Sequence, residues 1–288
     1  MLKNILITGA NGQLGNEMRL QLENREEFSP IFTDVQELDI TSKEAINAFF
    51  DTHEIDCVVN CAAYTAVDNA EDNVELCTRL NADAVEYLAQ AAKSHGAKMV
   101  QISTDYVFSG CECRPYIEDD ATSPRSVYGS TKLEGERKLL NVLPDAIIFR
   151  TAWLYSPFGK NFVKTMLNLG RTKTALKVIF DQVGTPTYAK DLAQAILTAI
   201  TFEQWKPGVY HFSDEGAISW YDFTKAIHRI AGICTCSVSP CVTAEYPTKA
   251  TRPHFSVLDK SKYKNTFHTT VPYWEDSLRD CINRIENK

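Results

Sequence analysis

The chain has 288 residues, 44% hydrophobic and 23% charged, enough for one large domain or a large domain with a small one, and neither low in complexity nor dense in disulfides. Its net charge of −7 speaks against nucleic acid as a partner, because phosphate binding needs concentrated Lys and Arg. No apolar run reaches the roughly 18 residues needed to span a bilayer, so no membrane partner is expected.

The start, Met1-Leu2-Lys3-Asn4, leads into an apolar stretch ending at Thr8-Gly9, too short for a signal segment, and the chain reads as cytoplasmic. Lys3 to Thr8 is the first expected strand, followed by a glycine-rich turn and a helix from Gln13 to Asn24. Ser29 to Thr33 is the second strand. Thr41-Ser42-Lys43-Glu44 offers an N-cap and a capping-box Glu for a helix to His53. Cys57 to Cys61 is a continuous apolar strand of the buried type. Asn73 to His95 reads as one helix stopped at Gly96. Met99 to Ser103 is a strand, Asp120 to Pro124 a loop, Val127 to Asn141 a long helix and Ile147 to Arg150 a strand.

This alternation implies an α/β fold, a doubly wound, Rossmann-like parallel sheet. Beyond residue 155 it loosens. The expected division is a dinucleotide-binding domain over 1–155 and a smaller substrate-binding lobe over 156–288, with some segments free to return to the main sheet. The nine cysteines show no zinc spacing, and neither Cys111-Glu112-Cys113 nor Cys234-Thr235-Cys236 has a paired His. Reduced, structural thiols and no metal site are expected.

The loop Gly9-Ala10-Asn11-Gly12-Gln13-Leu14-Gly15 joins the first strand to the first helix. Its glycines suit a tight turn, close backbone approach to a pyrophosphate and close helix–strand packing, and the helix N-terminus offers free N–H groups to the phosphates. Asp34 lies where an acidic residue would bond the adenosine ribose; otherwise it is an exposed turn aspartate. A carboxylate there repels a 2′-phosphate and favours NADH. Asp39-Ile40 follows at the position that covers the adenine ring.

Tyr128-Gly129-Ser130-Thr131-Lys132 sets Tyr and Lys one helical turn apart. The lysine ammonium is expected to lower the tyrosine pKa toward the working range. Ser103 and Thr104, at the carboxyl end of the fourth strand, are candidates for a hydroxyl that bonds a substrate carbonyl, or for a strand-end cap. Trp153 is a substrate contact or a core aromatic, and Arg252 a diphosphate ligand or a surface ion pair.

Gly9-x-x-Gly12-x-x-Gly15 and Tyr128-x-x-x-Lys132 resemble the extended short-chain dehydrogenases/reductases. Asn60 to Asp68, Ser103 to Phe108, Arg150 to Tyr155, Asn161-Phe162-Val163, Asp181 to Thr187 and Arg252-Pro253 narrow the resemblance to the dTDP-4-dehydrorhamnose reductase family, over nearly the whole chain. The resemblance implies dTDP-rhamnose biosynthesis, with NADPH or NADH reducing a 4-keto nucleotide-sugar. It makes Tyr128 the proton donor and Lys132 the residue that holds the nicotinamide ribose, both touching the cofactor. Gly12, Gln13 and Leu14 would lie along the pyrophosphate, and Ala63, Tyr64 and Thr65 along the ribose and nicotinamide side. Thr104, in the place of a more usual serine, and Asp105 would touch the sugar, with Trp153 packed on the nucleotide-sugar. Cys61 departs from the usual alanine but is also small. Some members form dimers with magnesium; no compact carboxylate cluster supports Mg2+ here, and monomer and homodimer stay open. The alternatives are a reductase or epimerase of another nucleotide-sugar, and a non-catalytic regulatory subunit of the methionine adenosyltransferase type.

Overall fold

Alternating apolar residues of the first strand face two different cores, which fixes the main sheet at the centre of the molecule. In the computed structural model, which describes residues 3–23 and 25–287, Ile5 and Ile7 of β1 (Asn4–Thr8) join one apolar cluster and Leu6 joins the other. The expected end of the first helix at Asn24 lies outside the described residues, as do Met1, Leu2 and Lys288.

The chain continues through α1 (Gln13–Leu22), β2 (Ser29–Thr33), α2 (Lys43–Thr52), β3 (Cys57–Asn60), α3 (Val67–Ala70), α4 (Val74–Thr78), α5 (Ala84–Ser94), β4 (Lys98–Thr104), α6 (Val127–Val142) and β5 (Ile147–Thr151). Then follow β6 (Leu154–Tyr155), α7 (Phe162–Thr172), β7 (Ala175–Ile179), β8 (Val183–Gly184), β9 (Thr187–Tyr188), α8 (Ala189–Thr201), β10 (Gly208–His211), β11 (Ile218–Ser219), α9 (Trp220–Ile230), β12 (Ser237–Cys241), α10 (Ser261–Phe267) and α11 (Trp274–Glu286). The main sheet runs β10-β5-β4-β3-β1-β2 with every pairing parallel. Strand order reverses beside β1, so the crevice beyond the carboxyl ends of β1, β3 and β4 is where this topology holds a ligand.

Two local expectations differ from the structure. Ser42, not Thr41, caps α2, its hydroxyl accepting the Ala45 N–H at 3.1 Å; Glu44 is then one position too early to close a capping box. The stretch 73–95 is not one helix: a π-turn, Arg79–Asp83, separates α4 from α5. Among the segments beyond 155, β10 returns to the main sheet by pairing along β5, and α8 packs on α1. A separate cluster, including Tyr155, Val163, Leu167, Phe223, Trp274 and Leu278, gathers α7, α9 and α11.

Candidate active site

A cavity of about 700 Å³ runs along the crevice from the end of β2 to the start of α6. At one end the glycine loop is built by close approach. Gly9 has φ +61°, and a Cβ there would stand 2.7 Å from the Ala62 nitrogen; one at Gly15 would stand 2.5 Å from the Gly9 carbonyl oxygen. Gly9, Gly12, Gln13 and Leu14 line the cavity. Gly12 stands at the N-cap of α1 without a side-chain cap, leaving first-turn N–H groups for an anion. Gly15 packs behind the loop, and Asn11 lies outside the lining, its N–H donating to Asp34 Oδ2 at 3.1 Å. Gln13 Oε1 accepts from Asn161 Nδ2 at 2.9 Å, tying this loop to the start of α7.

Asp34 lines the cavity and also braces its own turn, Oδ1 accepting the Val35 N–H at 2.9 Å. Asp39 and Ile40 line it as well. The Asp39 carboxylate is taken up by Thr41, whose hydroxyl and N–H both bond Oδ1 and hold its pKa below the ordinary value. Ile40 is buried in the core cluster beside the sheet. Ala63 and Thr65 reach the cavity; Tyr64 does not, its backbone being held from behind by Asn81.

At the other end stand Thr104, Asp105, Tyr128 and Lys132. Ser126 caps α6 by accepting the Gly129 N–H at 3.1 Å. Gly129 is required because a Cβ would lie 2.3 Å from the Tyr106 carbonyl oxygen, and this contact brings Tyr128 to Thr104. Thr104 caps the strand end and lines the cavity beside Tyr128: its hydroxyl accepts the Tyr106 N–H at 3.2 Å and donates to Asp105 Oδ1 at 2.9 Å. Ser103 turns instead to Glu136 at 2.5 Å.

Burial raises the Tyr128 pKa above the usual tyrosine range; the neighbouring Thr104 hydroxyl opposes this and the Asp105 charge adds to it. The lowering expected from Lys132 is outweighed by burial, and Lys132 Nζ donates to the Ile102 carbonyl at 2.6 Å. Lys132 is itself pushed down to about 8 by burial, against the charge of Glu136 one turn along. Asp105 is pushed up to about 6 by burial, with Thr104 and the nearby Ser256 opposing; its Oδ2 is buried with no hydrogen-bond partner among the described residues. Cys61, pushed by burial to about 12, stays a thiol.

Over this end lies Trp153, at φ +47° and stacked on Trp220 with ring centroids 3.4 Å apart. Arg252 also lines the cavity, half-buried, with one arm on Asp68 Oδ2 at 2.6 Å and another on the Tyr106 hydroxyl at 3.3 Å.

A family model described as the RmlD substrate binding domain matches residues 3–287. The dTDP-4-dehydrorhamnose reductase of Aggregatibacter actinomycetemcomitans is 40% identical, over 96% of this chain and 97% of that one. The chain belongs to the dTDP-4-dehydrorhamnose reductase family. A solved dTDP-4-dehydrorhamnose reductase from Clostridium acetobutylicum superposes with a TM-score of 0.94 at 46% identity, covering 98% of this chain and 99% of that one. That of Bacillus anthracis, in complex with NADP, gives 0.94 at 36% identity over 99% and 100%. Like its family, the chain is an NAD(P)H-dependent oxidoreductase.

The chain's own groups suit that cofactor: a glycine cradle that a Cβ would fill, an uncapped helix start and a carboxylate at the end of β2. Sequence reasoning missed Trp220, Asp68 and Asn81. Trp220 follows Ser219 at the head of a capping box, a signal for a helix start but not for a ligand. Among the described residues no group of three or more His, Cys, Asp or Glu could hold a metal, all nine cysteines are unpaired, and no helix is long and apolar enough to cross a membrane.

Proposed function

We propose that this chain reduces the 4-keto group of dTDP-4-dehydro-L-rhamnose to give dTDP-L-rhamnose, with Tyr128 donating the proton. The observation that carries the assignment is the meeting of Thr104, Tyr128 and Lys132 at one end of a cavity whose other end is the glycine loop. Bound NAD(P)H supplies the hydride. Charge then builds on the sugar oxygen, which needs donors aimed at it; Tyr128 is one, and Thr104 is the other once its single proton turns from Asp105 Oδ1 to the sugar oxygen. A buried phenol of raised pKa stays protonated at neutral pH and gives up its proton to the more basic alkoxide as it forms. Lys132, with one N–H on Ile102, keeps two donors for the nicotinamide ribose. Asp105, through its free oxygen, takes a sugar hydroxyl, and the Trp153–Trp220 stack and Arg252 take the nucleotide end. In this reading residues 1–155 bind the cofactor, the cluster around α7, α9 and α11 forms the substrate lobe, and the enzyme works in the cytoplasm on a small nucleotide-sugar.

Turnover of the dTDP-keto sugar with NADPH or NADH tests this. Tyr128→Phe should keep cofactor binding and lose about 10²–10⁴-fold in kcat. Near wild-type turnover in that variant would assign the proton to another group.

A further inference from the structure

Trp153 stands in the short connection between β5 and β6 at φ +47°, in the left-handed region that a residue with a Cβ avoids. Only one other non-glycine residue among those described, His268, has a positive φ, and it ends α10, a place where left-handed residues are common. Trp153 ends no helix; it lines the cavity. A strained conformation persists only where its surroundings over-determine it, and such residues gather at ligand sites. Here the strain is held by one residue of β9.

Thr187 grips the peptide groups on both sides of Trp153. Its hydroxyl donates to the Ala152 carbonyl at 2.6 Å, and its N–H donates to the Trp153 carbonyl at 3.2 Å. These two carbonyls are related only by the φ and ψ of Trp153, so anchoring both to one residue fixes both dihedrals. Thr187 is itself fully buried, and its oxygen accepts from the Thr151 hydroxyl at 3.2 Å, which leaves its single proton for Ala152. The ring is received by a notch: a Cβ on Gly184 would stand 2.7 Å from Trp153 Cε2 and 2.8 Å from Ser256 Oγ. At a negative φ the Cα–Cβ bond would point elsewhere, and the indole would leave both this notch and the face of Trp220.

We propose that Thr187 is a positioning residue for the nucleotide-sugar: it keeps Trp153 in its left-handed conformation, and so keeps the indole on Trp220 as one flat wall of the cavity. This rests on the reading of Trp153 and Trp220 as substrate contacts. The test uses the full-length enzyme with Thr187→Val, which keeps the shape and the N–H but loses the hydroxyl, and Thr187→Ser, which restores it. Circular dichroism reads the stack without any ligand, because two indoles face to face give a coupled signal, identified by its loss in Trp220→Phe. Calorimetry reads the affinity for dTDP-L-rhamnose.

Thr187→Val should lose most of that signal and bind dTDP-L-rhamnose about tenfold more weakly, the worth of one buried hydrogen bond, with the NAD(P)H Kd unchanged. Thr187→Ser should return both to near wild-type values. Thr187→Ala leaves room for a water at the freed carbonyl and should show the same losses, so it decides the matter if Thr187→Val does not fold. A wild-type signal and affinity in these variants, with only Tm lowered, would make Thr187 a folding residue and overturn the proposal; so would loss of the signal with affinity unchanged. The substrate reading is checked separately by Trp153→Leu. If that variant binds dTDP-L-rhamnose as tightly as wild type, the indole is no substrate contact and that reading falls, whatever Thr187 does to the signal.

Discussion

Glu136 and Asp105 are buried almost equally, 3% and 2% exposed, and each receives one of two consecutive hydroxyls at the end of β4. Ser103 bonds Glu136, whose two oxygens are also gripped by Arg150, at 3.0 Å from Nε and 2.7 Å from Nη2. Thr104 bonds Asp105, a residue of the cavity lining that has no cation of its own and whose Oδ2 is buried and unpaired among the described residues. Burial of a carboxylate is costly unless it is paired and hydrogen-bonded. The paired acid joins α6 to β5. The half-paired one holds binding capacity in reserve, and such groups cluster at functional sites.

The contrast breaks most visibly at Glu136. Replacing it by Ala strands Arg150 as a buried cation and should cost about 3–5 kcal/mol, read from chemical denaturation. A loss under 1 kcal/mol would mean that Arg150 finds another partner.

Asp105→Asn should act in the opposite direction. With its folded pKa raised to about 6 from an ordinary 3.8, Asp105 favours folding below about pH 4 and loses that contribution as pH rises through 6. The variant should therefore gain up to about 3 kcal/mol on wild type above pH 6 and nothing below pH 4, while its KM for the sugar rises. Equal stability at both pH values would mean that the carboxylate is not penalised by burial.

A smaller effect links Glu136 to catalysis. Lys132 sits near 8, with the Glu136 charge holding it up against burial. Cofactor affinity should therefore fall as pH climbs through about 8, and in Glu136→Gln this limb should move to lower pH by up to about one unit. A limb that stays in place would disconnect the two residues. The least effect belongs to Asp34, a carboxylate on the open rim. Asp34→Ala should shift the kcat/KM ratio several-fold toward NADPH by removing repulsion of a 2′-phosphate; an unchanged ratio puts Asp34 off the ribose.

What could be read from the sequence was what short spacings encode. The glycine loop and the Tyr128–Lys132 pair lie within single turns or helices, so their geometry follows from backbone periodicity alone. The π-turn could not be read, because one inserted residue leaves Cys77, Ala84, Val85 and Leu88 looking like one apolar stripe. Trp220 meets Trp153, and Arg252 meets Asp68, across long separations that only tertiary packing closes. The expected Lys132–Tyr128 tuning was a reading of charge without burial, and burial proves the larger influence on both groups. Which segment returns to the sheet was hidden for another reason: β10, a strand of four residues at a sheet edge, carries little pattern of its own.

That late strand has a consequence for how the molecule comes into being. All five residues of β5 are buried, and β10 pairs with four of them, Ile147 to Arg150, along one edge. A growing chain that has reached Tyr155 has β1 to β5 of the main sheet, but that sheet ends in a bare, apolar row of unpaired backbone groups. Until Gly208–His211 emerge from the ribosome, that row is open to any neighbouring extended chain. Synthesis of residues 156–211 is therefore the interval of greatest exposure to misassembly, and the second half of the gene also carries the seal for the first.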